Sequence, residues 1–250
     1  MAETILIVGA TSGIACAVAQ RLASEGNHLI LAARNEAELQ AVASDLAIRY
    51  EVTVNTIIWE ALDFDCHQQF VDDCWSQSDT DLAGAVICHG LLPNQHEAER
   101  DWNLARETLD INFTSAVSLL EKLALLLQAR KDGGFLAVVS SVAGDRGRGS
   151  NYLYGAAKGG LSIYLQGLRN RLFRHGVHVL TIKPGFVFTA MTAHLLKEKS
   201  PLVATPDQVA RDICRAIKKR KNVIYTRWFW RCIMRVIRCI PEWLFKRLKL

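Results

Sequence analysis

Short apolar runs alternate along this chain with segments of helical length, and this alternation restricts the fold more than any other feature. Candidate strands lie at 4–8, 28–32, 52–58, 84–88, 135–140, 177–183 and 223–226, and candidate helices near 13–25, 35–49, 65–77, 101–129, 152–174 and 206–219. The strand runs are apolar without a two-residue alternation, as expected for a parallel sheet covered on both faces. The sequence therefore predicts an α/β fold built on one doubly wound sheet of about seven parallel strands.

The length and composition suit one large domain, or at most two small ones. The chain has 250 residues, of which 50% are apolar, so it can bury one large core. Its seven cysteines are scattered without zinc-like spacing, so we expect reduced thiols and no metal site. The N-terminal residues enter a strand directly and lack a basic leader, which favours a cytoplasmic protein.

A glycine-rich turn from Gly9 to Gly13 follows the first predicted strand and opens a helix. Ligands of doubly wound sheets bind at the carboxyl ends of the strands. Glycines at such a turn let the backbone approach a pyrophosphate, and the helix N-terminus offers free N–H groups. The position predicts a dinucleotide site, although a tight turn without a ligand is the alternative.

The end of the second predicted strand indicates which dinucleotide is bound. Dinucleotide folds selective for NAD usually place an acid there, on the ribose 2′-hydroxyl. This chain has Ala33 and then Arg34, whose guanidinium can pair with a 2′-phosphate. We therefore expect NADP, with NADPH preferred over NADH, unless Arg34 only decorates a surface turn. Asp63 and Phe64 follow the third strand and are candidates for the adenine contact.

Tyr154 and Lys158 are four residues apart at the start of a predicted helix, so they share one helical face. A lysine ammonium beside a phenol favours the phenolate and lowers the tyrosine pKa. Such a tyrosine can exchange a proton with an alcohol or a carbonyl. Ser141 follows the fifth strand and could orient a carbonyl, and Asn112 could hold a relay water.

Together these residues resemble the short-chain dehydrogenase/reductase family over about residues 4–226. The resemblance implies a Rossmann domain in which Tyr154 is the general acid/base. It also implies that Lys158 tunes Tyr154 and binds the nicotinamide ribose, Ser141 positions the substrate and Asn112 anchors the relay water. The cofactor-binding residues it implies are Gly9, Thr11, Ser12, Gly13, Ile14, Arg34, Asp63, Phe64, Gly90, Tyr154, Lys158, Pro184, Gly185, Val187 and Thr189.

The chain departs from the family pattern in two places. Ala15 replaces the usual third glycine, and Ile87-Cys88-His89-Gly90 replaces the usual Asn-Asn-Ala-Gly. Only Gly90 matches, which puts the adenosine-side contacts in doubt. Cys88 and His89 are not expected to be a nucleophile pair, because adjacent residues of a strand point to opposite faces.

The net charge of +5 hides a strong asymmetry along the chain. Residues 1–210 carry 17 basic and 23 acidic residues, whereas residues 211–250 carry 13 basic and 2 acidic ones. The second domain assigned from sequence, 227–250, has arginines at helical spacing among tryptophans and aliphatic residues. This pattern predicts an amphipathic helix on an anionic membrane surface. The alternatives are a dimer interface and packing on the first domain, 1–226; nucleic acid is not expected.

An apolar stretch between Thr189 and Pro206 corresponds to the family's substrate lid. It contains Met191, His194, Leu195, Leu196, Leu202 and Val203. Together with the C-terminal segment, this stretch favours a hydrophobic or lipid-linked ketone as the substrate. Within the family, the chain resembles reductases such as those acting on keto-decaprenylphosphoryl sugars.

The sequence thus predicts an NADPH-dependent ketoreductase on the inner face of a membrane, forming a homodimer or homotetramer. A reductase of 3-keto lipids or steroids is one alternative. A membrane-surface interaction module that binds NADP without catalysis is the other.

Overall fold

The computed structural model describes residues 2–78, 82–193 and 200–248. Its main sheet has seven parallel strands in the order β3-β2-β1-β4-β5-β6-β9. The strands are β1 (Thr4–Val8), β2 (His28–Ala33), β3 (Val54–Ile58), β4 (Leu82–Ile87), β5 (Gly134–Val139), β6 (Val177–Pro184), the short pair β7 (Phe186–Val187) and β8 (Val203–Ala204), and β9 (Val223–Thr226). The predicted doubly wound sheet of seven parallel strands is confirmed.

Helices cover both faces of this sheet. They are α1 (Gly13–Ser24), α2 (Glu36–Tyr50), α3 (His67–Ser76), α4 (Gln95–Ala98), α5 (Trp102–Leu109), α6 (Ser115–Gln128), α7 (Tyr152–Leu172), α8 (Pro206–Lys218), α9 (Phe229–Cys239) and α10 (Glu242–Phe245). One apolar core lies under α3, α6 and α7, and a second lies under α1, α2 and α8. The five inner strands, β2, β1, β4, β5 and β6, are buried on both sides because each contributes residues to both cores, which explains their unbroken apolar runs.

The predicted helix over 101–129 is interrupted by one wide turn. α5 ends at Leu109, Asp110–Thr114 forms a π-helical turn, and α6 continues from Ser115. Such π-turns arise frequently at functional sites, and this one carries Asn112. The apolar periodicity runs through the turn, so it could not be seen in the sequence. Of the predicted lid, His194, Leu195 and Leu196 lie outside the described residues.

The C-terminal segment packs against the α/β domain through one face. Trp230 and Met234 on α9 are 5% and 2% exposed, and they form one buried apolar cluster with Val142. The opposite side of the helix carries exposed arginines, so the predicted amphipathic character is present. None of the described helices has the length and apolarity to cross a membrane.

Arg146 attaches this segment to the loop after β5. Its Nη1 donates to the carbonyl oxygens of Ile237 at 2.9 Å and Ile240 at 2.6 Å, at the C-terminal end of α9. Its Nη2 pairs with Glu242 at 2.8 Å, and its guanidinium lies 3.9 Å from the centroid of the Phe245 ring. The Arg146 guanidinium therefore adds a donor to the carbonyls at the end of α9, of which that of Ile237 also accepts from the Ile240 N–H at 3.3 Å.

We predict that Arg146→Ala destabilises the protein by about 1–3 kcal/mol and exposes α9 to exchange, because buried carbonyls lose their donor. Urea unfolding and hydrogen exchange over 229–239 measure both effects. Arg171→Ala is the control, since Arg171 forms a surface ion pair with Glu121 and should cost about 0–1 kcal/mol. Unchanged protection of α9 in Arg146→Ala would contradict this role.

Candidate active site

The glycine turn after β1 is built for close backbone approach. Gly9 has a φ of 77°, and a Cβ placed there would lie 2.7 Å from the backbone nitrogen of His89. Only glycine tolerates both conditions. The Ser12 hydroxyl accepts from the Ala15 N–H at 3.4 Å and caps α1, whose first turn contains no acid. The turn therefore presents an uncompensated helix N-terminus suited to a phosphate group.

A cleft of about 310 Å³ opens beside this turn at the carboxyl edge of the sheet. Of the predicted cofactor residues, Gly9, Thr11, Ser12, Arg34 and Gly90 line it. Asp63 and Phe64, the predicted adenine contacts, are not among its lining residues, and Ile14 packs against the core under α1.

Residues directly after β3 take the place expected for Asp63 and Phe64. Trp59, Glu60 and Ala61 line the cleft, with Met191 and Glu107. The rule that ligands meet the carboxyl ends of strands identifies the first three, because they follow β3 immediately. Phe64 instead starts a short 3₁₀ turn and stacks near His67, with a ring-centroid separation of 5.4 Å.

Arg34 is available for an anionic ligand. It follows β2, its side chain is 70% exposed, and its nearest acid is Glu60 at 3.8 Å. This loose pair leaves the guanidinium free to turn towards a phosphate, although Glu60 brings a competing negative charge that sequence analysis did not identify. The residues around the cleft thus fit a dinucleotide, with a glycine turn, a helix N-terminus and the loosely paired Arg34 cation.

His89 is a half-buried residue with a neutral side chain in the wall of this cleft. Its Nε2 lies 3.0 Å from the Ser115 hydroxyl, and the Trp59 ring meets it edge-on at 4.8 Å. Burial lowers the pKa of His89 to about 3, and burial raises that of Cys88 to about 12. Neither residue is ionised near neutral pH, in line with the expectation that they form no nucleophile pair.

Ser141, Tyr154 and Lys158 come together at the end of β5. Ser141 directly precedes a 3₁₀ turn, Val142–Asp145, and its hydroxyl accepts from the Ala143 N–H at 3.1 Å. Tyr154 and Lys158 share a face of α7, with the Lys158 Nζ 5.8 Å from the centroid of the tyrosine ring. The predicted serine, tyrosine and lysine therefore occupy one site.

The pKa values at this site differ from the simple expectation. Burial raises the pKa of Tyr154 to about 12, and a hydrogen bond from Ser141 opposes this increase. Burial lowers the pKa of Lys158 to about 8, while its Nζ donates to the Val139 carbonyl at 3.1 Å. The pKa of Tyr154 is therefore raised and not lowered as expected. Desolvation of the phenol outweighs the hydrogen bond from Ser141, and the Lys158 ammonium is directed to the Val139 carbonyl.

Three glycines allow the serine turn to reach α7. A Cβ on Gly144 would lie 2.5 Å from the Gly159 nitrogen, and one on Gly155 would lie 2.9 Å from the Ala143 oxygen. The Ser140 hydroxyl ties the same two elements together by donating to the Lys158 carbonyl at 2.9 Å. Sequence analysis missed this packing, although Gly155 directly follows Tyr154 and Gly159 directly follows Lys158.

Asn112 lies beside the same site but its amide is already engaged. Its Nδ2 donates to the Leu91 carbonyl at 2.7 Å and the Thr108 carbonyl at 2.8 Å, and its Oδ1 accepts from the Leu91 N–H at 3.2 Å. A Cβ on Gly90 would lie 2.8 Å from this Oδ1 and 3.4 Å from the Lys158 Nζ. The side chain thus fixes the loop after β4 next to Lys158.

The segment after β6 lies over the start of α1 and borders the candidate site there. Pro184 ends β6, Val187 pairs with Ala204, and the Thr189 hydroxyl lies 3.2 Å from that of Thr192. A Cβ on Gly13 would be 3.5 Å from Thr189, so this residue overlies the start of α1. Gly185 is covered by Trp230, since a Cβ there would fall 2.0 Å from the indole nitrogen.

Comparison with known proteins agrees with this geometry. The family model described as short chain dehydrogenase matches residues 3–200. An uncharacterized oxidoreductase of Mycobacterium tuberculosis is 34% identical over 247 residues, covering 99% of this chain and 97% of the relative. The chain belongs to the short-chain dehydrogenase/reductase family. This membership makes it an oxidoreductase of the type that binds NAD(P).

Solved structures of this family share the fold. A short-chain dehydrogenase from Sphingobium yanoikuyae in complex with NADPH superposes with a TM-score of 0.80 at 21% identity, covering 96% of this chain and 97% of that one. Levodione reductase gives 0.81 at 21% identity, with coverages of 91% and 96%. Among characterised relatives, serine 3-dehydrogenase of Agrobacterium fabrum is 28% identical over 239 residues, or 89% of this chain and 91% of the enzyme.

We predict that Gly144→Ala destabilises this dehydrogenase fold by about 1–3 kcal/mol, because the new methyl group collides with backbone rather than a movable side chain. Gly147→Ala is the matched control, since a Cβ there meets nothing within 4 Å. Urea unfolding measures both. Equal stability of the two variants would show that the serine turn does not depend on this contact.

Proposed function

We propose that this protein is an NADPH-dependent reductase of ketones, with Tyr154 as general acid. The observation that supports this most strongly is the meeting of Ser141, Tyr154 and Lys158 at the carboxyl edge of the sheet, beside a cleft that suits a dinucleotide. A module that binds NADP without catalysis would not need a half-buried tyrosine held beside a serine and a lysine. The reverse reaction, oxidation of a secondary alcohol, uses the same residues.

NADPH, when bound, supplies the hydride for this reaction. The Ser141 hydroxyl orients the substrate carbonyl, and the Tyr154 phenol gives its proton to the carbonyl oxygen as negative charge develops there. The Lys158 Nζ, 5.8 Å from the centroid of the Tyr154 ring, would supply positive charge near the phenolate left by that transfer. Because burial holds the pKa of Tyr154 at about 12, the phenol is protonated near neutral pH and ready to donate.

Tyr154→Phe should lower ketone reduction by about 10²- to 10⁴-fold, because it removes only the acidic hydroxyl. NADPH oxidation with a panel of cyclic and long-chain ketones measures the rate. Tyr164→Phe is the control on the same helix, because its hydroxyl donates to Glu121 at 2.8 Å. Full retention of activity in Tyr154→Phe would refute the proposed mechanism and favour the non-catalytic alternative.

The preference for NADPH is proposed from Arg34. Its guanidinium follows β2, its side chain is 70% exposed, and Glu60 at 3.8 Å is its only described ion-pair partner. Arg34 would pair with the 2′-phosphate that distinguishes NADPH from NADH.

We predict that Arg34→Gln weakens NADPH binding by about tenfold, on the scale of a lost charge-assisted hydrogen bond, and leaves NADH binding nearly unchanged. Glu60→Gln should act in the opposite direction, because it removes the competing carboxylate. Fluorescence titration with each cofactor gives both ratios. Equal losses of NADPH and NADH affinity in Arg34→Gln would refute this assignment.

A hydrophobic or lipid-linked ketone is the proposed substrate class, with 3-keto lipids and steroids as the alternative within it. The support is the apolar surface near the site: Met191 lines the cleft, and Phe186 after β6 is 41% exposed and stacks edge-on against Trp230 at 5.4 Å. α9 therefore borders the region through which a substrate would approach Ser141.

Peripheral attachment to the inner face of a membrane through 227–250 is part of the same proposal. Apolar side chains on this segment point to solvent, including Trp228 at 77%, Val236 at 67% and Trp243 at 61% exposure. Aromatic and aliphatic groups beside arginines suit a helix that lies in the interfacial region of a bilayer. A homodimer or homotetramer is proposed from exposed apolar residues on and directly after α7. Ile163 in the helix is 70% exposed, and Phe173, which follows its last residue, is 80% exposed.

A further inference from the structure

A wide basic groove lies between α9 and the open edge of the sheet, on the opposite side of α9 from Trp230. It has a volume of about 960 Å³, and six of its lining residues are cationic: Lys219, Arg220, Lys221, Arg231, Arg235 and Arg238. None of its described lining residues is acidic. Half of these cations come from the turn before β9 and lie outside the C-terminal segment that sequence analysis singled out.

These charges have no ion-pair partner among the residues that the structure describes. None of the ion pairs among the described residues involves any of the six cations. Arg220 donates to the Gly176 carbonyl at 2.8 Å, which fixes the turn before β9 against the body. Like charges held this close repel each other, so the groove is complementary to a ligand that carries several negative charges.

We propose that this groove binds the phosphate headgroups of an anionic bilayer. This inference rests on the peripheral attachment proposed above and assigns the contact to residues 219–221 as well as to α9. The exposed apolar side chains of the same C-terminal segment favour a bilayer over other polyanions. Trp228 lines the groove, and Val236, Leu244 and Leu248 are 67%, 39% and 43% exposed on the same segment.

Other polyanions would leave these aliphatic groups in water. Nucleic acid pairs with cations and stacks on aromatic rings but offers no hydrocarbon layer for Val236 or Leu248. A second copy of this groove is excluded as the occupant, because it would bring six further cations against the first six. An anionic bilayer can interact with both kinds of group, because its phosphates can pair with the cations and its acyl chains can surround the apolar side chains.

The test is sedimentation of the full-length protein, saturated with NADPH, with vesicles of phosphatidylcholine alone or mixed with phosphatidylglycerol. Lys219→Gln/Lys221→Gln should lower the partition coefficient onto the mixed vesicles by about tenfold or more and reduce its salt dependence. Lys122→Gln/Lys131→Gln is the matched control, since both lysines border a different groove between α3 and α6. It should bind as the wild type does.

Two further arms separate the possible outcomes. Trp228→Gln/Trp243→Gln should also weaken vesicle binding, but with the salt dependence retained. If this variant binds weakly while Lys219→Gln/Lys221→Gln binds normally, attachment stands and the groove assignment is wrong. Displacement by millimolar inorganic phosphate, or by a DNA oligonucleotide, at constant ionic strength would overturn the bilayer in favour of that ligand. Reductase activity measured in solution reports separately on the catalytic proposal.

Discussion

The close approach of the Val142–Asp145 turn to α7 is the contact on which the rest of the site depends. Gly144 and Gly159 meet backbone to backbone, and Ser140 fastens the end of β5 to the Lys158 carbonyl. Without side chains between them, Ser141 comes within reach of the Tyr154 phenol. The geometry of the candidate site therefore depends on the missing Cβ atoms of these glycines as much as on Ser141, Tyr154 and Lys158.

The same turn also holds the C-terminal segment. Asp145 forms a buried ion pair with Lys183 and accepts from the Tyr225 hydroxyl at 2.7 Å, which joins the turn to β6 and β9. Arg146, the next residue, satisfies the last carbonyls of α9. The α9 helix is in this way attached directly to the turn that follows Ser141. If the proposed groove contacts lipid, the opening of the active site is held close to the bilayer that would contain its substrate.

Most of the fold could be predicted from the sequence, because buried parallel strands produce unbroken apolar runs and the glycine turn marks β1. The site was predictable where chemistry depends on spacing along one element, as for Tyr154 and Lys158. It was not predictable where residues meet only in three dimensions. The lining of the cleft by Trp59 and Glu60, in place of Asp63 and Phe64, depends on where β3 ends.

Similarly, the side chain of Asn112 is engaged with the Leu91 backbone because a π-helical turn rotates it inward, and helical periodicity contains no signal for such a turn. The packing of Trp230 on Gly185 joins residues that are far apart in the chain. For the same reason, the contact of α9 with the catalytic domain was only one of several alternatives for an arginine-striped tail. Charge counts identified a basic C-terminus, but not that residues 219–221 and α9 share one groove.

The central claim is hydride reduction of a lipid-soluble ketone at Tyr154, and deuterium transfer tests it most directly. The wild-type protein and Tyr154→Phe would each be incubated with membrane lipid extract and NADPH deuterated at the transferable position. Mass spectrometry of the solvent-extractable lipids then locates the label. We predict a lipid alcohol with deuterium on its carbinol carbon in the wild-type reaction and almost none with the variant. Label that appears only in water-soluble products, or equally with both proteins, would contradict the claim.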